Sequence, residues 1–349
     1  MLRTDLVDML QLVSPGLSNN DLIPILSHVW FTGSTLIAYN ARIAISCPFK
    51  TDFKGALPGS TLIDLVKNSR AKDIEFIPAE NDLTVKAASS RFKLGMLPDE
   101  AFNIFEMPKP SKGAITPPED FFKAIDACMQ SIGVDNTIPE QLGITIVPNG
   151  KDLELYSTNN ATITYTKITL PLGKPTRVTL SADFCKQMVA IAKSEKNVKV
   201  EIHDDYSLLT TPKGISLFGR LIEIDKPLDF AGIMENNIPD DAKKIAVDIP
   251  SKLRSMIERA IIITNSTSER SQTAITITDG KMRFLSKSSR GEVIDTVMVG
   301  DGQPDVSLDL DCKHLKPVFD AYDKMLVTDR CFIMLKGQSI YMVAGTHSK

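Results

Sequence analysis

The sequence is poor in the residues that build metal sites and disulfide frameworks. Its cysteines are odd in number and far apart, and no two of them form a CxxC pair. This spacing argues against both a zinc site and a disulfide framework. Free cysteines are typical of a reducing compartment, so we expect a cytoplasmic protein. The five cysteines are Cys47, Cys128, Cys185, Cys312 and Cys331.

Motifs of catalysis and cofactor binding are also missing. No histidine lies at metal-ligand spacing from another, and the chain contains no GxSxG, Walker or GxGxxG motif. The acidic pairs Asp204-Asp205 and Asp240-Asp241 are more typical of turns than of metal sites. We therefore expect no enzyme activity, no cofactor and no metal. A hydrolase of unknown type remains only a formal alternative, because no residue pattern supports it.

Long apolar runs and a strong charge of one sign are absent as well. No run reaches the roughly 18 residues that a membrane span needs, so we expect no membrane partner. The first residues lack the apolar stretch of a secretory signal. The net charge is −3, which gives no global sign of nucleic-acid binding. Any basic surface must therefore be local.

What the sequence does contain is a repeated unit, an amphipathic helix followed by short alternating strands. The unit occurs six times at a spacing of roughly 50 to 70 residues, which is typical of repeat architectures. In the second copy Leu62, Ile63 and Val66 form an apolar stripe at helical spacing. The six predicted helices are Leu2–Leu17, Ser60–Ala71, Pro118–Ile132, Ser181–Lys196, Pro250–Thr264 and Cys312–Met325.

The strands predict an α+β fold. Because they are short and alternating, we expect antiparallel sheets with helices on one face. Two repeated units form one domain, so each unit is half of a domain. We expect three such domains, at residues 1–107, 114–234 and 243–349, with linkers at 107–113 and 235–244. Only two strands are predicted after the last helix, Cys312–Met325, so the third domain is expected to lack its last strand.

Three short motifs resemble segments of the bacterial DNA polymerase III beta subunit, the sliding clamp. The chain resembles a divergent member of that family. Ser89–Phe102 reads SSRFKLGMLPDEAF and is similar to the S-R-F-x-L-x-x-L-P-x-x-x-F that ends the family's first domain. Leu22–Ser27 reads LIPILS and resembles its L-P-I-L segment. Glu258–Asn265 reads ERAIIITN and resembles the E/A-R-A-x-x-L-S-N that ends the first helix of its third domain. The motifs occur in the family's order along the whole chain.

This resemblance implies a ring in which two chains, each with three DNA-clamp domains, close head to tail as a homodimer. Such a ring encircles double-stranded DNA without reading its sequence and tethers a replicative DNA polymerase, which raises processivity. An ATP-dependent clamp loader opens and closes it, and the clamp itself catalyses nothing. The departures from the family pattern described below are typical of a divergent form, such as one encoded by a phage.

Cations on the predicted helices are candidates for phosphate contacts. A sliding ring would use loose phosphate contacts without base readout. Acidic residues nearly balance the cations on the same helices, so solvated helix faces of mixed charge remain the alternative. The candidates are Lys67, Arg70, Lys72, Lys186, Lys193, Lys196, Lys252, Arg254, Arg259, Lys313 and Lys316.

The resemblance also implies a subunit interface. By position Phe102 and Ile104 correspond to the family's apolar contact in the first domain, and Ile262 and Ile263 to its partner in the third domain. A head-to-tail contact that closes gives a ring, and one that does not gives a filament. All four residues could instead belong to ordinary domain cores.

In the family a cleft between the second and third domains binds short linear motifs of partner proteins. One wall usually reads T-D-G-H-R-L, whereas the matching run here, Thr158–Ile163, keeps Thr158 and Ile163 but replaces the core, with Asn160 at the glycine position. Pro227 corresponds to the cleft proline, and Ile233 is an apolar neighbour. The closing strand that forms the opposite wall is expected to be missing. The run could equally be an ordinary strand.

A second class of function stays open at this point. A repeat-built scaffold for protein interactions would share the fold but would not encircle DNA.

Overall fold

A computed structural model describes residues 1–19, 23–134, 137–170, 176–265, 272–300 and 303–346. Its α-helices are α1 Arg3–Val13, α2 Gly59–Asn68, α3 Glu119–Cys128, α4 Ala182–Ser194, α5 Phe230–Asn237, α6 Ala242–Ile245 and α7 Leu253–Thr264. Short 3-10 helices cover Ser14–Gly16, Pro24–Ser27, Asp99–Phe102, Met129–Ser131, Pro139–Leu142, Cys312–His314 and Lys316–Ala321.

The strands lie in antiparallel ladders throughout the described residues. They are β1 His28–Phe31, β2 Thr35–Tyr39, β3 Ile43–Pro48, β4 Gly55–Pro58, β5 Ile74–Pro78, β6 Asp82–Ala87, β7 Ser90–Gly95, β8 Gly143–Asn149, β9 Asp152–Thr158, β10 Thr162–Thr169, β11 Val178–Ser181, β12 Lys199–Ile202, β13 Tyr206–Thr210, β14 Ser216–Arg220, β15 Val247–Asp248, β16 Thr273–Thr278, β17 Lys281–Ser288, β18 Gly291–Met298, β19 Val306–Leu310, β20 Lys324–Val327, β21 Cys331–Lys336 and β22 Ser339–Ala344. The antiparallel α+β fold predicted from the alternating strands is therefore confirmed.

The described chain divides into two compact units. Unit 1 contains Met1–Phe122 and Asp183–Leu221, and unit 2 contains residues 123–170, 176–182 and 222–346. Each unit holds strands from two of the three predicted domains. The three-domain division itself stays a prediction.

Unit 1 contains a seven-stranded sheet, β12-β13-β14-β3-β2-β1-β4, and a three-stranded sheet, β5-β6-β7. Helices α1 and α2 pack against each other, with Leu6 and Leu10 of α1 and Leu62 and Val66 of α2 fully buried. The opposite side of the large sheet carries a second cluster, in which Phe102 packs with residues of β1, β2 and β14.

Unit 2 contains an eight-stranded sheet, β11-β8-β9-β10-β22-β21-β20-β15, and a four-stranded sheet, β18-β17-β16-β19. A tight turn at Asp279-Gly280 joins β16 to β17, and both residues have positive φ (49° and 67°). A two-residue hairpin turn with this backbone twist requires such angles, which explains the Asp-Gly pair.

The strands of the eight-stranded sheet serve two separate cores. Met325 and Val327 of β20 pack with α7, whereas Leu326 between them packs beneath α5 and α6. In β21, Phe332 packs in the core that contains α7, and Ile333 packs in the core beneath α5 and α6. Because successive side chains of a strand point to opposite faces, a strand covered on both sides is a continuous apolar run.

That arrangement corrects the prediction for the end of the chain. The predicted helix Cys312–Met325 is instead two 3-10 helices followed by β20, so three strands follow the helical segment and the third domain does not lack its last strand. Met325, Leu326 and Val327 extend the apolar pattern of the preceding turns. Burial on both faces of the sheet makes them a strand.

The linker prediction at 235–244 is also wrong in part. Residues 230–245 are largely helical, as α5 and α6, and they cover one face of the eight-stranded sheet. Asp229 caps α5 by accepting a hydrogen bond from the amide of Gly232 at 3.0 Å.

Candidate functional site

The eleven predicted DNA-facing cations are all exposed. Two of them are held in ion pairs. Arg259 of α7 binds Asp295 of β18 through two parallel hydrogen bonds of 2.8 and 2.9 Å. Arg254 donates to both carboxylate oxygens of Asp320 at 2.7 Å. These two guanidinium groups are therefore already engaged by carboxylates.

Seven of the other cations have no ion-pair partner among the described residues. Six of them lie in or just after α2, α4 and the second 3-10 helix of the last half-unit, and Lys252 directly precedes α7. Because lysine and arginine keep their charge at neutral pH, these seven give a protein of net charge −3 a set of local positive sites. The seven are Lys67, Arg70, Lys72, Lys186, Lys196, Lys252 and Lys316.

The structure separates the four predicted interface residues. Phe102 is only 2% exposed and stacks on Trp30 at a ring distance of 4.3 Å, so it belongs to the core of its own unit. Phe102 is therefore an ordinary core residue, which was the alternative to an interface residue. Ile104 is 50% exposed and Ile262 is 66% exposed, while Ile263 is half-buried. Ile104 and Ile262 can therefore meet another molecule, and Phe102 cannot.

In the smaller sheet of each unit, one edge carries no backbone partner in the described residues. In the small sheet of unit 1 this edge is β7, and in the four-stranded sheet of unit 2 it is β18. The opposite edges differ, because Ile74 of β5 donates to Met1 and Asp309 of β19 accepts from Thr346. Open edges present unpaired N–H and C=O groups that can bind another strand.

The surroundings of these two edges carry charges of opposite sign, although Lys93 also binds Asp82 at 2.9 Å and Glu292 lies 3.9 Å from Lys287. Strand β7 exposes Arg91 and Lys93, and β18 exposes Glu292. Beside β7 lies a cavity of about 540 Å³ whose lining includes Leu65 and Phe92. Residues of the β6–β7 turn, which the sequence resemblance had already marked, also line it.

The predicted cleft run Thr158–Ile163 forms the hairpin between β9 and β10. The side chain of Asn159 accepts hydrogen bonds from the amides of Ala161 and Thr162, and Asn160 adopts a positive φ of 70°. Asparagine tolerates this backbone conformation, which explains how the turn forms without the family's glycine. The oxygen of Asn160 also accepts a hydrogen bond from Gln141.

The structure brings two of the predicted cleft residues together. Ile163 is buried in the cluster beneath α5, and Ile233 of α5 packs against the same cluster. Thr158 is buried, but its hydroxyl donates to Thr162 within the hairpin at 2.8 Å. Asn160 and Pro227 are exposed. Strand β22, the second of the two strands predicted after the last helix, pairs with β10 along this surface.

Sequence reasoning missed the aromatic residues of the same surface. Tyr156 faces Tyr165 across β9 and β10, with ring centres 5.1 Å apart, and Phe230 of α5 stacks on Tyr156 at 4.7 Å. Burial raises the pKa of Tyr165 to about 12. Burial also raises the pKa of Tyr156, and its hydrogen bond to Glu154 adds to the shift. The alternation of Tyr156 and Thr158 in β9 was the available signal for one shared face.

The described residues contain no group of three or more metal-ligating side chains. All five cysteines are buried and none of them forms a disulfide. Burial raises the pKa of Cys47, Cys128 and Cys312 to about 12, which keeps these thiols protonated and unreactive. No helix in the described ranges has the length and apolar character needed to cross a membrane.

Comparison with known proteins agrees with this geometry. Residues 1–106 match the family described as DNA polymerase III beta subunit, N-terminal domain. The DNA polymerase III beta chain of Streptococcus pneumoniae superposes with a TM-score of 0.84 at 17% identity, over 99% of this chain and 98% of that one. The Thermotoga maritima beta subunit gives 0.84 at 16%, over 100% and 99%.

A DNA polymerase sliding clamp from Pseudomonas aeruginosa gives a TM-score of 0.82 at 16% identity, over 100% of this chain and 99% of that one. The likeness predicted from the three motifs is thereby confirmed, although Leu22 of the second motif lies outside the described residues. Residues 1–106 are thus similar to the N-terminal domain of the DNA polymerase III beta subunit, and the whole chain has the fold of the bacterial beta clamps.

Proposed function

We propose that this protein is a DNA polymerase processivity factor, a sliding clamp that closes around duplex DNA as a head-to-tail dimer. The observation that carries the proposal is the match to beta chains over 99% of this chain at a TM-score of 0.84. Such a protein acts by shape and needs no catalytic group.

The two open sheet edges support the dimer. Pairing β7 of one chain with β18 of the other would extend both sheets and satisfy the free backbone groups of each strand. Arg91 and Lys93 would then approach Glu292 of the other chain. Because the two edges belong to different surfaces, the contact is heterologous, and it closes when two copies use both edges.

The apolar part of the same interface would come from α7. Ile262 lies near the end of α7, which packs beside β18, and it exposes 66% of its surface. The cavity beside β7, with Leu65 and Phe92 in its lining, offers it a complementary site. Ile104 stays a candidate for the rim of this contact, and Ile263 lies one residue further along α7.

The exposed cations without ion-pair partners support a surface for DNA. Contacts from lysine and arginine to phosphates carry no sequence information, which suits a ring that must slide. The seven cations named above are the residues we propose for this role. Arg254 and Arg259 would have to leave their carboxylate partners first.

The surface beneath and beside α5 supports a docking site for partner proteins. Half-buried Ile233, Leu228 and Tyr165 pack around the buried Ile163 there. We propose that a replicative polymerase and an ATP-dependent clamp loader reach the clamp through apolar segments that bind at this surface.

Mass and shape test the proposal together. Sedimentation at micromolar concentration should give about twice the chain mass of 38.4 kDa, and negative-stain images should show a central hole. A stable monomer, or a dimer without an opening, would overturn the clamp assignment. A dimer without a hole would instead favour the scaffold that shares the fold but does not encircle DNA.

A further inference from the structure

The chain just before α5 is bound by the buried carboxylate of a residue far away in the sequence. Glu140, in the 3-10 helix before β8, is only 1% exposed. Its Oε1 accepts hydrogen bonds from Thr145 at 3.0 Å and from Nη2 of Arg177 at 2.6 Å. Its Oε2 accepts the backbone amide of Leu228 at 2.7 Å. A carboxylate so far from water needs these partners, because an unpaired buried charge is very costly.

Arg177 completes the attachment from the other side. The same Nη2 that binds Glu140 also donates to the carbonyl oxygen of Leu228 at 2.6 Å. Both backbone groups of Leu228 are therefore held by one ion pair. The guanidinium of Arg177 also lies 5.5 Å from the centre of the Phe230 ring, whose position it favours by a cation–π contact.

These contacts fix the start of α5, while its end is held by hydrogen bonds from Arg330 to the carbonyl of Asn236 at 3.0 Å and from Cys331 to that of Asn237 at 3.4 Å. The helix depends on such contacts. It has eight residues, a length at which an isolated helix is marginal in water. Phe230 is its fully buried side chain, and that ring stacks on Tyr156. Ile233 and Met234 are half-buried on the surface proposed above for partner docking.

We infer that Glu140 and Arg177 are positioning residues that anchor α5, and that they thereby set the shape of the apolar docking surface. This inference rests on the proposed function for its biological meaning, but the anchoring itself is independent of the ring. The pair is one that the beta-subunit motifs in the sequence do not include.

Thiol labelling tests the anchoring directly. The five native cysteines are buried, so Ile233→Cys places one accessible thiol on α5. Adding Arg177→Gln should raise its labelling rate by a maleimide at least about tenfold, the effect of roughly 1.4 kcal/mol in an opening equilibrium. Arg177→Lys keeps the charge and should restore most of the protection. Lys213→Gln, which removes an exposed pair with Glu195 in unit 1, is the matched control.

Hydrogen exchange separates anchoring from general stability. In Arg177→Gln the amides of residues 228–238 should exchange faster, while those of α3 should not change. Equal labelling rates with and without Arg177, or faster exchange in both segments, would overturn the inference. The dimer mass of the parent protein reports on the clamp proposal separately, so the two ideas can fail independently.

Discussion

The subunit contact leads to a prediction that can be worked out in energy. Ile262 exposes 66% of its surface in the single chain. Burying a whole isoleucine side chain stabilises by about 1.5–3 kcal/mol, so burying this exposed part in an interface is worth about 1–2 kcal/mol. A head-to-tail dimer contains the contact twice. Ile262→Ala should therefore weaken the dimer by about 2–4 kcal/mol.

Since 1.4 kcal/mol is a factor of ten, the dissociation constant should rise by about 30- to 700-fold. Sedimentation velocity across a dilution series measures it. The matched control is Val134→Ala, which truncates an apolar side chain that is 94% exposed and belongs to neither α7 nor β18. A change of less than about threefold for Ile262→Ala, or equal changes for both variants, would show that α7 is not part of the contact.

Three further predictions follow from the site and the core. Lys186→Ala, which removes an exposed cation without an ion-pair partner in the described chain, should lower the salt dependence of binding to a fluorescent duplex by about one unit of slope. Arg254→Ala, already engaged by Asp320, should change it less. Glu140→Ala should lower the free energy of unfolding by about 2–4 kcal/mol in urea titrations, because it leaves the amide of Leu228 and Arg177 without their acceptor. An unchanged midpoint would contradict the buried ion pair. Burial raises the pKa of Cys47, Cys128 and Cys312 from 9.0 to about 12. Above pH 9 these thiols ionise in the unfolded chain but stay protonated in the folded one, which favours unfolding. The free energy of unfolding should therefore fall between pH 9 and 12 by about 1.4 kcal/mol per pH unit for each thiol. Urea titrations above pH 9 should show this fall, and Cys47→Ala should reduce its slope.

Helices with a complete apolar stripe could be predicted from the sequence. The predicted Ser60–Ala71 and Ser181–Lys196 became Gly59–Asn68 and Ala182–Ser194. In α4 the buried residues Phe184, Met188 and Ile191 repeat at helical spacing, and burial of one face is what stabilises such a helix.

Elements buried on two sides could not be predicted in this way. The predicted helix Cys312–Met325 ran into β20 and left Leu326 and Val327 unassigned, because the apolar run Met325–Val327 carries no period of two. The alternation is between two cores, one on each face of the sheet, and it becomes visible only in the folded structure. Helix α5 was missed because its apolar residues contact a sheet formed by distant strands.

The candidate site was predictable only where it depends on local pattern. The cations of α2 and α4 follow from the helical pattern of short segments, whereas the sequence left open both the turn at Asn159-Asn160 and the exposure of Ile262. The burial of Phe102 depends on Trp30, and the anchoring of Leu228 depends on Glu140, 88 residues away. Contacts of this sequence separation leave no signal in a single sequence.

The most direct test of the account is topological. The protein is first diluted until the dimer dissociates and is then concentrated to micromolar levels with nicked circular DNA, so that the ring closes around the DNA without a loader. The complex is isolated by gel filtration at high salt, which removes ordinary phosphate contacts. Cutting the circle once with a restriction enzyme should then release the protein, while uncut circles retain it. Equal retention on cut and uncut DNA, or loss from both, would contradict a ring around the duplex.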